Sequence, residues 1–528
     1  MRDAHTRRQV LKSAGAASMT LSAGGLLAAC GSGGSSASSD SATTDGSPAT
    51  TGKPKKGGEL RVGVQAGSNK ETQDAHTPNT DPELAWASNL YEPVAQYMPD
   101  GKFANVLAES FEATDSSTWV VKLKSGVEFH NGKTVTADDV IFSIRRIIDP
   151  KTASRGGGGL AIVDVKNLKK LDDLTVQIPL KEPNSVFDTE FGQYFNGIVP
   201  TDYDPKSPVG TGPYKADTFT AGQQATLLRF DNYHGDPGYA DKITITELAD
   251  PGARVNALLS GQVDAIAALP GAQVKTLESN KQFAVLNAET GTWIPISMHV
   301  DVKPLSDVRV RQALRLLVDR KQMLTQVLNG YGQLGNDTWG RQDPAYNTSL
   351  QQREQDLEQA KALLKQAGQS DLRLELTTSP FYEGMVSSAQ VFIEQAKAAG
   401  VTVKLKQLDT DAFLANYLKW PFTQGYWGTR DYIPQAAQIT LPGATLNDIG
   451  WNDDEYTKIV GDAKKELDPA KRKDLIGQAQ QIDYDRGGYI IWGFANVIDA
   501  YSKKLAPIEP GHFQSLGNYQ LARVGFAA

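Results

Sequence analysis

The order of local patterns predicts an α/β protein with more than one core, and three observations carry that prediction. At 528 residues the chain exceeds what one hydrophobic core holds. Residues 372–376 and 401–405 alternate apolar and polar, with a helical run at 386–399 between them that Gly400 closes. Strand, helix, strand with glycine stops is a βαβ unit, which requires a sheet largely covered by helices. From Ser306 onward, long amphipathic runs replace the short alternating ones that precede it, so the two parts of the chain differ in character.

Taken in order, residues 59–64 form a short alternating strand that opens the fold, and residues 82–96 read as a helix. The alternating run at 119–124 leads to Asn131-Gly132, a strong turn pair because both residues tolerate positive φ. A helix follows. Thr136 is its N-cap, Asp138 and Asp139 face the positive end of the dipole, and Val140, Ile141, Ile144, Ile147 and Ile148 share a face before Pro150 stops the run. Residues 156–159 are four glycines and read as a flexible loop. Strands are predicted at 174–180, 225–230 and 242–248. Ser306 caps a helix running through Leu314, Leu317, Leu324 and Leu328 to Gly330, and residues 354–367 form another, ended by Gly368. Helices at 455–466 and 470–481 precede a buried strand at 489–494.

The first residues read as an address. Arg7 and Arg8 stand before a short, mildly apolar stretch rich in Gly and Ser, too short to span a membrane. Residues 1–29 are an export signal, and the paired arginines resemble a twin-arginine one. Leu27-Ala28-Ala29-Cys30 resembles a bacterial lipobox, which makes Cys30 the acylated first residue of the mature chain. Residues 30–56 are Gly, Ser, Ala, Thr and Asp with almost nothing to bury. They are expected to be a disordered tether with a mean reach of ~30 Å.

Composition and motifs exclude several functions. The chain carries 54 Lys and Arg against 61 Asp and Glu, a net charge of −7, and four of those cations lie in the signal. An acidic body lacks the basic stripe that a nucleic acid requires. Six histidines are scattered with no pair at metal-ligand spacing, and the one cysteine permits neither an internal disulfide nor a multi-cysteine zinc site. No Gly-x-Ser-x-Gly elbow is present. Gly210-Thr211-Gly212 is no dinucleotide fingerprint, because Pro213 stands where a phosphate-binding helix should begin. No cofactor or metal is expected.

The stretch 90–148, with Leu90-Tyr91-Glu92-Pro93-Val94, Pro99-Asp100-Gly101, the 119–124 run and Phe129-His130-Asn131-Gly132-Lys133, resembles the N-terminal signature of the family 5 extracellular solute-binding proteins. Val209 to Tyr214, Ala257 to Asp264 and Leu305 to Leu314 carry the resemblance on toward the C-terminus. It implies a two-lobed fold like that of the periplasmic binding proteins (type II, the large peptide-binder class), with a hinge and an inter-lobe cleft. Lobe I would hold residues 57–288 plus 498–528, and lobe II residues 289–497. Function would be that of a monomeric, lipid-anchored receptor outside the cell membrane, passing a small, peptide-like solute to an ABC permease and its ATPase. Nickel chelates, opines and oligosaccharides remain open as solutes, and an exported enzyme is the rival from another class. In peptide binders of the family an aspartate in a Gly-Trp-x-x-Asp-Tyr-x-x-Pro-like segment meets the ligand's ammonium. Asp431-Tyr432-Ile433-Pro434 fits that pattern, although Trp427 lies one position farther away and Ile433 replaces an acidic residue. The candidate ligand contacts are therefore Asp431, Arg430, Trp427 and Tyr426, with Trp293 and Trp492 near the expected crossings between lobes.

Overall fold

The computed structural model describes residues 54–528. The signal expected at 1–29, Cys30 and nearly all of the expected tether lie outside the described residues. The first sheet has eight strands and is built on Glu59–Val64, whose Leu60, Val62 and Val64 are fully buried as the alternation requires. That strand pairs in parallel with Lys242–Glu247 on one side and Ala265–Ile266 on the other. Gln224–Arg229 and Tyr214–Thr220 extend the sheet antiparallel. On the opposite flank, Gly493–Ser502 pairs with Ala265–Ile266, Phe283–Trp293 and Gly332–Leu334. The C-terminal residues Leu505, Ile508, Leu516, Tyr519 and Val524 pack into the core of this sheet.

A separate core lies under a four-stranded antiparallel sheet of Ala108–Asp115, Thr118–Leu123, Thr175–Pro179 and Lys169–Asp172. The helix Ala137–Ile148 covers it with Val140, Ile144 and Ile147. Thr136 stands at its N-cap, as the sequence predicts, and the structure adds a capping box in which the Asp139 carboxylate accepts from the Thr136 N–H. Two local expectations fail here. The helix Asp81–Leu90 ends six residues early, because Pro93 biases the residue before it to extended backbone, and the chain turns into the strand Ala95–Tyr97. The four glycines contribute to a helical turn, Gly157–Leu160, rather than an open loop, since Leu160 is fully buried and anchors it.

The second lobe carries a five-stranded sheet in the order Thr402–Gln407, Arg373–Thr378, Phe422–Gln424, Ile296–Met298, Tyr489–Ile490. The predicted βαβ unit is its outer part, with Met385–Ala398 as the crossover helix. The long helix expected from Ser306 is two helices, Val308–Leu316 and Arg320–Leu328. Asp307, not Ser306, caps the first, and Asp319 caps the second by accepting from the Gln322 N–H at 2.9 Å, which breaks the run. The predicted strand at 489–494 is two strands in different sheets: Tyr489–Ile490 belongs to the second and Gly493–Ser502 to the first. Phe283–Trp293 and Ile296–Met298 divide in the same way. The chain thus changes sheets at residues 294–295 and 491–492, with Gly332–Leu334 adding a short strand to the first sheet beside the second of these points, and the boundaries expected at 288 and 497 fall inside continuous strands. Fully buried Asp337 fixes one crossing: it accepts two hydrogen bonds from Arg320 at 2.8 Å, one from Arg353 at 2.8 Å and one from the Ile491 N–H at 3.0 Å.

Candidate functional site between the lobes

The loop before the helix Tyr432–Ile439 faces the first lobe. Asp431 occupies the N-cap position, with extended backbone, yet its side chain makes no cap hydrogen bond. Asp343 satisfies the helix start instead, accepting from the Tyr432 N–H at 2.8 Å. Asp431 is therefore free to reach across the cleft, where the Tyr97 hydroxyl donates to it. The Tyr97 ring lies 4.3 Å from that of Phe513 and 5.0 Å from that of Phe103. Tyr97, Glu190, Gln193 and Phe513 of the first lobe meet Thr429, Arg430, Asp431 and Pro434 of the second around a cavity of about 10 Å³. That is room for about one water, so the lobes are closed on each other here. A larger cavity, about 540 Å³, lies elsewhere, among first-lobe residues and the C-terminal tail, beside Glu92 and His234.

The electrostatics of the cleft are unusual. Burial, and then the charges of Asp343, Asp188 and Glu190, push the Asp431 carboxyl up to about 7, against the opposing hydrogen bond from Tyr97. Burial also raises Asp343, Asp188 and Glu190. The Arg430 guanidinium is lowered by burial, partly offset by Glu190, and among the described residues it has no carboxylate within salt-bridge distance. A second contact between the lobes lies at the rim. Ser185 donates from its N–H to the Lys464 carbonyl at 2.8 Å and from its hydroxyl to that of Ala463 at 3.0 Å, while Lys464 pairs with Glu182 at 2.9 Å.

Of the six candidate contacts, Asp431 and Arg430 line the cleft. Tyr426 is half-buried and stacks on Tyr382 at 3.7 Å. The three tryptophans are placed otherwise. Trp293 is 1% exposed, with Trp339 and Trp427 stacked against it at 6.1 Å each. Trp427 exchanges backbone hydrogen bonds with Trp293 at 2.9 and 3.0 Å, and Trp492 is buried in the core of the second lobe. They form the frame beneath the loop, because rings of that area gain most from full burial. Tyr97, Asp188, Glu190, Asp343 and Phe513 were not singled out by the sequence. Among the described residues no group of three His, Cys, Asp or Glu is placed to hold a metal, and no helix is long and apolar enough to cross a membrane.

Two lobes joined by paired crossings, closed over a charged cleft, define a type II solute-binding protein. The comparisons with known proteins agree. Residues 102–447 match the family described as bacterial extracellular solute-binding proteins, family 5 middle. The chain belongs to that family, whose members are solute-binding receptors and not enzymes. It is 26% identical over 479 residues to the glutathione-binding protein GsiB of Pectobacterium atrosepticum, covering 84% of this chain and 90% of that one. The fold is similar to that of the substrate-binding protein CtaP of Listeria monocytogenes, with a TM-score of 0.78 at 22% identity over 90% of this chain and 100% of the other. It also resembles DppA of Helicobacter pylori in complex with the peptide STSA, with a TM-score of 0.74 at 21% identity over 90% of this chain and 99% of that one.

Proposed function

We propose that this receptor is anchored through an acylated Cys30 on the outer face of the cell membrane and captures a small peptide-like solute for an ABC permease and its ATPase. Residues 30–56 would tether it, and it would act as a monomer whose lobes divide near residues 293 and 492. The observation that carries the reading of the ligand is the meeting of Asp431 and Arg430 with first-lobe groups in a closed cleft. Asp431 would hold the ligand's ammonium and Arg430 a carboxylate, while Tyr426 supplies an apolar wall. The relatives support this, since one is named for glutathione and a structural neighbour holds a tetrapeptide.

Mass spectrometry of the small molecule released on denaturation identifies the solute, and calorimetry of the stripped protein tests the site. Asp431→Asn leaves a buried ligand cation without its partner, at about 3–5 kcal/mol in comparable pairs. Affinity should fall at least about 100-fold, with the melting temperature of the ligand-free protein barely changed. Unchanged affinity would remove Asp431 from the site. Cys30→Ser should release the protein from membranes or leave it unprocessed, and membrane retention of a processed serine variant would refute the anchor.

A further inference from the structure

The cavity of about 540 Å³ has no part in the cleft. Its walls come from the first lobe and the C-terminal tail, and the hairpin of Ala95–Tyr97 and Phe103–Asn105 separates the two spaces. Side chains alternate across that hairpin. Tyr97 and Phe103 take the cleft face, where their rings lie 5.0 Å apart and Tyr97 meets Asp431. Gln96 and Ala104, opposite each other in register, line the cavity instead. Gln520 of the tail joins the same wall and donates to the Tyr97 carbonyl at 3.1 Å. This is a space of its own, within the range of about 300–1,000 Å³ that small-molecule sites occupy. Since the second lobe supplies none of its walls, movement of the lobes as bodies leaves it intact.

Two buried polar groups on its wall set the chemistry. Glu92 is 3% exposed, and its carboxylate accepts from the Tyr233 hydroxyl at 2.6 Å and from His234 Nε2–H at 2.8 Å, one on each oxygen. A carboxylate accepts about four hydrogen bonds, so each oxygen keeps a lone pair. Among the described residues His234 is its only base within salt-bridge distance. Asn89, fully buried, lines the same cavity three residues earlier. Its amide group donates to the carbonyls of Ala85 at 2.7 Å and Tyr519 at 2.8 Å, while its Oδ1 has no partner among the described residues. A buried acceptor left in that state is costly unless a donor reaches it. The other charges on the wall offset one another: Arg523 pairs with Glu509 at 2.9 Å, and Lys124 and Asp236 are exposed, one of each sign. Met98, Ile508, Leu516 and Val524 supply apolar surface. Spare acceptors beside a buried carboxylate call for a positive group with several donors, and a primary ammonium has three and accepts none.

We propose that this cavity is a second binding site, separate from the cleft, for a small primary amine with an apolar body. The ammonium donates to Glu92, with the Asn89 Oδ1 as a further acceptor, and the body packs on Met98, Ile508 and Leu516. The test is calorimetry on the full mature chain, stripped of solute, with tryptamine, tryptophol and indole-3-propionate as probes. These share an indole body and carry an ammonium, a hydroxyl and a carboxylate. Tryptamine should bind at least tenfold tighter than tryptophol, and indole-3-propionate more weakly than either. Glu92→Gln, with an unchanged circular dichroism spectrum, should bring tryptamine and tryptophol within twofold of each other. Ala104→Trp fills the space without removing a polar group and should weaken tryptamine at least tenfold. Asp431→Asn, on the other side of the hairpin, should leave tryptamine within twofold of its original affinity. Should Glu92→Gln fail to fold, Ala104→Trp still locates the site and the two neutral and cationic probes still report the charge. No binding of tryptamine, equal affinities for tryptamine and tryptophol in the unaltered protein, or tryptamine binding that Ala104→Trp leaves unchanged would overturn the proposal. A tenfold loss in Asp431→Asn would place the amine in the cleft and overturn it as well.

Discussion

Asp431 reaches the cleft because Asp343 does its work at the helix start, and that division of labour gives the residue a pH signature. In the closed form the Asp431 carboxyl is pushed up to about 7 by burial and by Asp343, Asp188 and Glu190, with Tyr97 opposing. Opened to water it should titrate near the ordinary value of about 4. Between those values the closed form binds more protons, so closure of the ligand-free protein is favoured below about 4 and weakens as pH rises to about 7. Asp188, Glu190 and Asp343 are raised too and act with the same sign, while Arg430, lowered by burial, stays charged throughout this window. Energy transfer between dyes on the two lobes should therefore report a more open ligand-free protein at pH 8 than at pH 5. Asp431→Asn should shrink that difference. A more closed protein at pH 8 would contradict the assignment.

At the scale of elements, caps and crossings decide how far the sequence could be followed. Helix starts were legible where the cap and the first turn are local, as at Thr136 with Asp139. Asp319 was hidden because Leu317 and Val318 continue the apolar run straight through the break. The run at 489–494 is equally continuous, and nothing local reveals that its two ends serve different sheets, which is a tertiary matter. The site divides in the same way: Asp431 and Arg430 stand in a loop marked by glycines and aromatics, but Tyr97, Asp188, Glu190 and Phe513 come from distant segments with no such mark. The tryptophans misled because composition cannot distinguish a core ring from a ligand shelf. Two substitutions test the elements themselves. Asp356 accepts from the Gln359 N–H at 2.8 Å at the start of Leu357–Gln366, so Asp356→Ala should cost about 1 kcal/mol in urea unfolding. Asp337→Asn leaves Arg320 and Arg353 facing a neutral group beside the crossing and should cost about 3–5 kcal/mol. A loss no larger at Asp337 than at Asp356 would mean the crossing is held by something else.

For the whole molecule, the two crossings and the charged cleft are parts of one design. A chain that passes between lobes at 294–295 and 491–492 has only short connections to bend, so the lobes can move about them as bodies. The closed arrangement gathers Glu190, Arg430 and Asp431 in one cleft, and neutral donors join the lobes there, among them the Tyr97 hydroxyl to Asp431, the Thr429 hydroxyl to the His512 carbonyl and Ser185 at the rim. A solute that meets groups of both lobes only when they are closed binds the closed form better than the open one, and it shifts the population by that difference alone. The most direct test is X-ray scattering from the stripped protein at pH 8, before and after saturation with the solute identified by mass spectrometry. A smaller radius of gyration on binding is the predicted result, with the contraction much reduced in Asp431→Asn at the same solute concentration. An unchanged radius at full occupancy would contradict closure as the means of capture.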